Sequence, residues 1–171
     1  MSTLVLTVVG EDRPGLVQAL ADAVAAHGGN WERSRLTELA GLFSGIVLVE
    51  APDERSEELR AALHELEGVL HVGVHRAPGR GAVSGGQVVV LDLLGNDRPG
   101  IVKEVSGVFG RHAVSIDELT TDTREAPMTG GVLFEAHLVA PLSDATDLDA
   151  LRADLEQLAS EMMVDITLDA S

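Results

Sequence analysis

"VVGEDRPGLV" spans residues 8–17 and "LLGNDRPGIV" spans residues 93–102. Each stretch sets Gly-x-Asp-Arg-Pro-Gly between an apolar run and a segment of helical spacing. Sliding the chain over itself by 85 residues (95 minus 10) lays Gly10 on Gly95, Asp12-Arg13-Pro14-Gly15 on Asp97-Arg98-Pro99-Gly100, and His27 on His112. An internal duplication of this kind decides the architecture before any single element does. Between the copies lies "APGRGAVSGGQ", residues 77–87, whose four glycines and one proline read as a linker. The expected organisation is a domain over 1–77, a linker over 78–86 and a second domain over 87–171.

Outward from each loop the two copies repeat one series. "TLVLTVV" (3–9) and "QVVVLDLL" (87–94) are β-branched and bounded by glycine, as strands are. After each loop, Leu16, Val17, Leu20, Val24 and His27, and Ile101, Val102, Val105, Val108, Phe109 and His112, recur at helical spacing. Gly28 and Gly29 stand where a helix C-cap belongs. Strands are expected over 30–40 and 42–50, and over 114–124 and 131–139. Second helices are marked by Leu59, Ala62, Leu63 and Leu66, and by Leu148, Leu151, Leu155 and Leu158, with Thr146 and Asp149 forming a capping-box-like start. Strands over 69–76 and 163–169 close the units. The order is βαββαβ, twice: an α+β fold of two ferredoxin-like units, each an antiparallel sheet with both helices on one face. In "FSGIVLVE" both faces of the strand are apolar, which predicts that the open side of the first sheet is partly covered by the other copy or by another chain.

Composition narrows the function. With 28 acidic residues against 12 basic ones, the net charge is −16, and a phosphate backbone or an anionic membrane repels such a chain. Aromatics are limited to one Trp and three Phe, too few for a base-stacking surface. There is no cysteine, so thiol catalysis and thiolate metal sites are excluded. His71 and His75 share a strand face roughly 13 Å apart at ~3.3 Å per residue, too far to chelate one ion. His27 and His112 close equivalent helices, where they are expected to meet C-terminal carbonyls. No nucleophile elbow and no nucleotide fingerprint is present, so neither a catalytic centre nor a cofactor is expected. The N-terminal stretch lacks the pattern of a signal sequence, which makes a cytoplasmic location the expectation.

The loops are the candidate sites. Proline at a first helical turn is preorganised in φ and lacks an N–H that would be unpaired there. Gly10 and Gly15 permit close backbone approach. The unpaired amides and positive dipole end of the helix suit a carboxylate. Asp12 either caps the helix or presents an oxygen to a cation. An anion site beside an acidic side chain has the charge layout of an amino acid.

Strand, Asp-Arg-Pro-Gly, helix, then "GGNWERSRLTELAGLFSGIVLVEAP" resembles the ACT domain, a regulatory module of amino-acid metabolism. Two in tandem resemble the glycine cleavage system transcriptional repressor group of stand-alone ACT proteins. The resemblance covers essentially the whole chain. It implies a non-catalytic regulator that binds a small amino acid where the loop of one unit faces the start of the second strand of a neighbour. It further implies a homodimer, and a DNA-binding transcription factor rather than DNA as partner. The implied contacts are Gly10, Glu11, Asp12, Arg13, Pro14 and Gly15 with Asn30 and Trp31. In the second copy they are Asn96, Asp97, Arg98, Pro99 and Gly100 with Ser115 and Ile116. Gly10 stands where a serine-sensing ACT domain carries His, Asp12 where it carries Asn, and Ser115 where the strand-opening Asn would be.

Overall fold

The computed structural model describes residues 1–77, 86–127 and 130–171. The chain divides into two compact units, Met1–Arg80 and Gly81–Ser171. The linker expected over 78–86 falls, apart from Gly86, outside the described residues.

The first unit runs β1 (Ser2–Glu11), α1 (Leu16–Ala26), β2 (Asn30–Leu39), β3 (Leu42–Ala51), α2 (Ser56–His64) and β4 (His71–Arg76). The second runs β5 (Val88–Asn96), α3 (Ile101–Arg111), β6 (Glu118–Glu125), β7 (Val132–Pro141), α4 (Leu148–Met162) and β8 (Asp165–Ala170). The sheets have the orders β2-β3-β1-β4 and β6-β7-β5-β8, and every pairing is antiparallel. This is the expected βαββαβ order, with the first and third strands of each unit at the centre.

Strand alternation assigns the faces. Leu4, Leu6 and Val8 of β1 and Val47, Val49 and Ala51 of β3 turn inward onto Leu16, Leu20 and Val24 of α1 and Leu59 and Leu63 of α2. In the second unit Val89, Leu91 and Leu93 of β5 meet Ile101, Val105, Val108 and Phe109 of α3 and Leu151 and Leu155 of α4. The two cores share no residue. On the open face of the first sheet Val9 and Ile46 are 42% and 49% exposed.

The helix ends explain several shifts from the sequence expectation. Gly28 donates to the Ala25 carbonyl and Gly29 to that of Val24, a Schellman end with Gly28 at φ +70°. Ala113 and Val114 repeat these bonds to Gly110 and Phe109, but the left-handed residue is now alanine, at φ +55°. The segment 114–117 is therefore spent on leaving the helix, and β6 begins at Glu118 rather than 114. Helix α4 is capped by Asp147, whose carboxylate accepts from the Ala150 amide at 3.0 Å; Thr146, the expected cap, instead bonds Ser143. It ends on Met163 at φ +53°, 85% exposed. Left-handed backbone costs a non-glycine residue about 1 kcal/mol. Ala113→Gly and Met163→Gly are each expected to stabilise the second unit by up to about that much, read as a rise of several degrees in thermal unfolding.

Candidate functional site

Each loop begins where the central strand of its sheet ends. Gly15 and Gly100 are the N-cap residues of α1 and α3, in the left-handed conformation at φ +92° and +95°. The helices thus start at Leu16 and Ile101, and Pro14 and Pro99 precede the caps instead of occupying the first turn. Asp12 does not cap α1, and no side chain does so for either helix. The left-handed glycine turns the chain sharply between Asp12 and the first-turn amides.

The backbone donors divide into two sets. The amides of Asp12 and Asp97 are occupied, by the Gly41 carbonyl at 2.9 Å and the Val132 carbonyl at 2.8 Å. The first i−4 helical bonds run from Ala19 to Gly15 (2.9 Å) and from Glu104 to Gly100 (3.0 Å). The amides of Leu16, Val17 and Gln18, and of Ile101, Val102 and Lys103, therefore precede the ladder and lack such partners. These are the donors left for an anion.

The glycines serve two purposes. A Cβ on Gly10 would approach the Val69 carbonyl oxygen to 2.8 Å, and one on Gly95 would approach Val164 Cγ1 to 2.3 Å. These positions are glycine because the chain entering the last strand presses on them, and no larger residue fits there. Beside Gly15, by contrast, a Cβ would meet nothing within 4 Å. The space there is open. Gly15→Val would nonetheless strain the left-handed backbone, so it alters fold and loop together and is a poor probe of either.

The two arginines act differently. Arg13 Nη2 donates to the Gly68 carbonyl at 3.2 Å, tying the loop to the turn before β4. Arg98 makes a forked pair with Glu104, at 3.2 and 2.9 Å. The residue equivalent to Glu104 in the first unit is Ala19. The second loop therefore holds a carboxylate of its own in the first turn of α3, and Glu104 Oε1 lies 3.7 Å from where a Gly100 Cβ would stand. The first turn of α1 holds none.

Glu11 closes β1, and Asn96 closes β5 opposite Leu133. Asn30 is exposed at the start of β2, and its amide donates to the Glu32 carboxylate. It pairs with Glu50, which pairs with Thr3, whereas the loop follows Glu11. The strand from Thr3 to Glu11 separates the two ends by roughly 26 Å. The structure does not bring Asn30 to the loop of its own unit. Trp31 packs, partly buried, against the first core, as do Leu36 and Phe43. Ser115 is exposed and lies ahead of β6, while Ile116 packs on the second core. Ile116 also lines an apolar slot with Ile101, Val102, Val105 and Phe134, of about 10 Å³, room for one water at most.

His27 Nδ1 meets the Ala23 carbonyl at 2.8 Å, as expected of a helix-closing histidine. His112 does not: its Nε2 meets Asp154 of α4 at 2.9 Å, because α4 brings a carboxylate within reach. No grouping of three metal-ligating side chains occurs among the described residues, and no helix there is long and apolar enough to cross a membrane.

Residues 2–75 and 89–160 each match a family model described as the ACT domain. The chain is 24% identical over 163 residues to the glycine cleavage system transcriptional repressor of Escherichia coli K12, covering 93% of this chain and 85% of that one. It is 36% identical over 86 residues to a UPF0237 protein of Methanopyrus kandleri, covering 45% of this chain and 96% of that one. Among solved structures, a protein of unknown function from Galdieria sulphuraria matches at a TM-score of 0.89 and 29% identity, over 99% of this chain and 98% of that one.

Proposed function

The chain belongs to the ACT domain family, with two such domains in tandem, and from that premise we propose that it is a non-catalytic regulator of amino-acid metabolism that binds a small amino acid at its first loop. The observation that carries this reading is the open space beside Gly15, next to three first-turn amides that lack helical partners. Those amides hold the ligand carboxylate, and the exposed Asp12 carboxylate holds its ammonium. The second loop, with the Glu104 carboxylate already in its first turn, binds the same ligand more weakly. A ligand that also touches Asn30 must draw on the β2 start of a different unit, since the two lie at opposite ends of one sheet. Binding then changes how ACT units pack. The shift it can drive equals its affinity difference between the two arrangements, typically about 1–3 kcal/mol.

Titration calorimetry of the full chain against the common amino acids at millimolar concentration tests the reading, and silence with all of them would remove it. With a ligand in hand, Asn30→Ala and Asp12→Asn are each expected to weaken binding by about 1–3 kcal/mol, roughly 5- to 150-fold. Unchanged affinity in both would place the ligand elsewhere.

A second reading rests on charge. A net charge of −16 and the similarity to a transcriptional repressor favour a basic DNA-binding regulator as the protein partner, engaged without any small ligand. Capture of such a regulator that is indifferent to added amino acids would favour this second reading.

A further inference from the structure

The faces of the two sheets turned away from the helices carry opposite characters at equivalent positions. On the first sheet that face holds Val5, Val9, Ile46 and Leu48 along its middle strands, with Arg33 beside Leu48 on β2. His75 and His71 stand opposite Val5 and Val9 on β4, His75 against the Thr7 hydroxyl at 3.3 Å and His71 3.7 Å from the Glu67 carboxylate. Its carboxylates, Glu11 and Glu50, lie at the ends of β1 and β3. On the second sheet the corresponding apolar residues are Val90, Leu94 and Val139, but carboxylates surround them. Asp169 and Asp165 stand opposite Val90 and Leu94, where the first sheet has His75 and His71. Asp92, Glu135 and Asp122 replace Thr7, Ser44 and Thr37. His137 meets Asp92 at 2.7 Å and Arg124 meets Glu135 at 2.5 Å. Asp165 and Asp169 have no cationic partner among the described residues.

Duplication supplied both faces from one ancestor, and they have since diverged into a pair: one apolar with Arg33 and two imidazoles on its border, the other apolar with carboxylates there. Val9, Ile46 and Leu94 remain 42%, 49% and 37% exposed. We infer that the open face of the first sheet docks on the open face of the second sheet of another copy of this chain. Sheets packed face to face lie about 10 Å apart with their side chains interdigitated. Four strands about 4.8 Å apart and about eight residues long present roughly 500 Å² per face. One contact then buries roughly 1,000 Å² in total, the threshold of a specific interface; a reciprocal pair of contacts doubles that. On this pairing the carboxylates of the second face meet Arg33 and the two imidazoles of the first, whereas the second face against itself would set carboxylate against carboxylate.

Sedimentation of the full chain, at low and at raised salt, is the test. The wild type is expected to self-associate at both salt concentrations, the apolar centre of the contact being insensitive to screening. Ile46→Asp and Leu94→Asp, both at exposed positions, are each expected to weaken self-association at least tenfold. An equimolar mixture of the two variants should recover mixed complexes, because each keeps the face that the other has lost. Circular dichroism checks that both are folded. Should either fail, His75→Glu, which also gives up the Thr7 hydroxyl contact, and Asp169→Lys replace them with the same expected pattern. A monomeric wild type overturns the inference. So does a loss confined to the first-face variant, which would mean that the first faces pair with each other. So does a mixture that associates no better than its components.

Discussion

Gly45→Ala should unfold the first unit while leaving the second intact. Gly45 lies in β3 at φ +153°, backbone that side chains rarely adopt. A Cβ there would come within 2.0 Å of the Arg35 carbonyl oxygen and 2.9 Å of the Leu36 Cα, on the adjacent strand β2. Both are backbone atoms, so no rotamer change relieves the clash; β2 must part from β3. The expected loss is at least about 3 kcal/mol, combining backbone strain with a broken ladder. For a unit of this size that is roughly 12–24 °C of thermal stability. Because the cores share no residue, hydrogen exchange should show protection lost over residues 2–76 and kept over 88–170. Uniform protection in the variant would show that β2 and β3 tolerate the added methyl group.

Phe109→Ala should do the reverse. Phe109 is fully buried between α3 and the second sheet and is the largest completely enclosed side chain among the described residues. Its carbonyl also accepts the Val114 amide at 2.9 Å, so the helix end that delivers β6 is anchored on the same residue. Truncating a buried phenylalanine costs about 3–5 kcal/mol in lost transfer energy and residual cavity. The second unit should lose roughly 12–40 °C while the first keeps its transition. A calorimetric trace in which both transitions fall together would contradict the separation of the cores.

The sequence is most legible where periodicity and repetition agree. Short β-branched runs bounded by glycine in β1 and β5, apolar strands in β3 and β7 and helical spacing in all four helices yield the βαββαβ order, and the 85-residue offset yields its duplication. Boundaries fail where a local decision depends on backbone handedness. Gly15 reads equally well as a flexible loop residue or as a left-handed cap, and only the second moves the helix start past Pro14. Ala113 carries no mark of its left-handed state, so the sequence places β6 too early. At the candidate site, Gly10 reads as room for close approach, but its constraint, like that of Gly95, comes from the chain ahead of the last strand, Val69 and Val164, some sixty to seventy residues away. No local pattern carries that information. The different fates of Arg13 and Arg98 are legible in principle, since Glu104 faces Ala19 across the duplication.

Separate cores also have a practical meaning. Among the described residues every strand of each sheet comes from its own half, so a break between residues 77 and 86 severs none of the described ladders. The chain is suited to production as two polypeptides, or to ligation of an isotope-labelled half onto an unlabelled one, so that magnetic-resonance signals from either half are read without crowding from its twin.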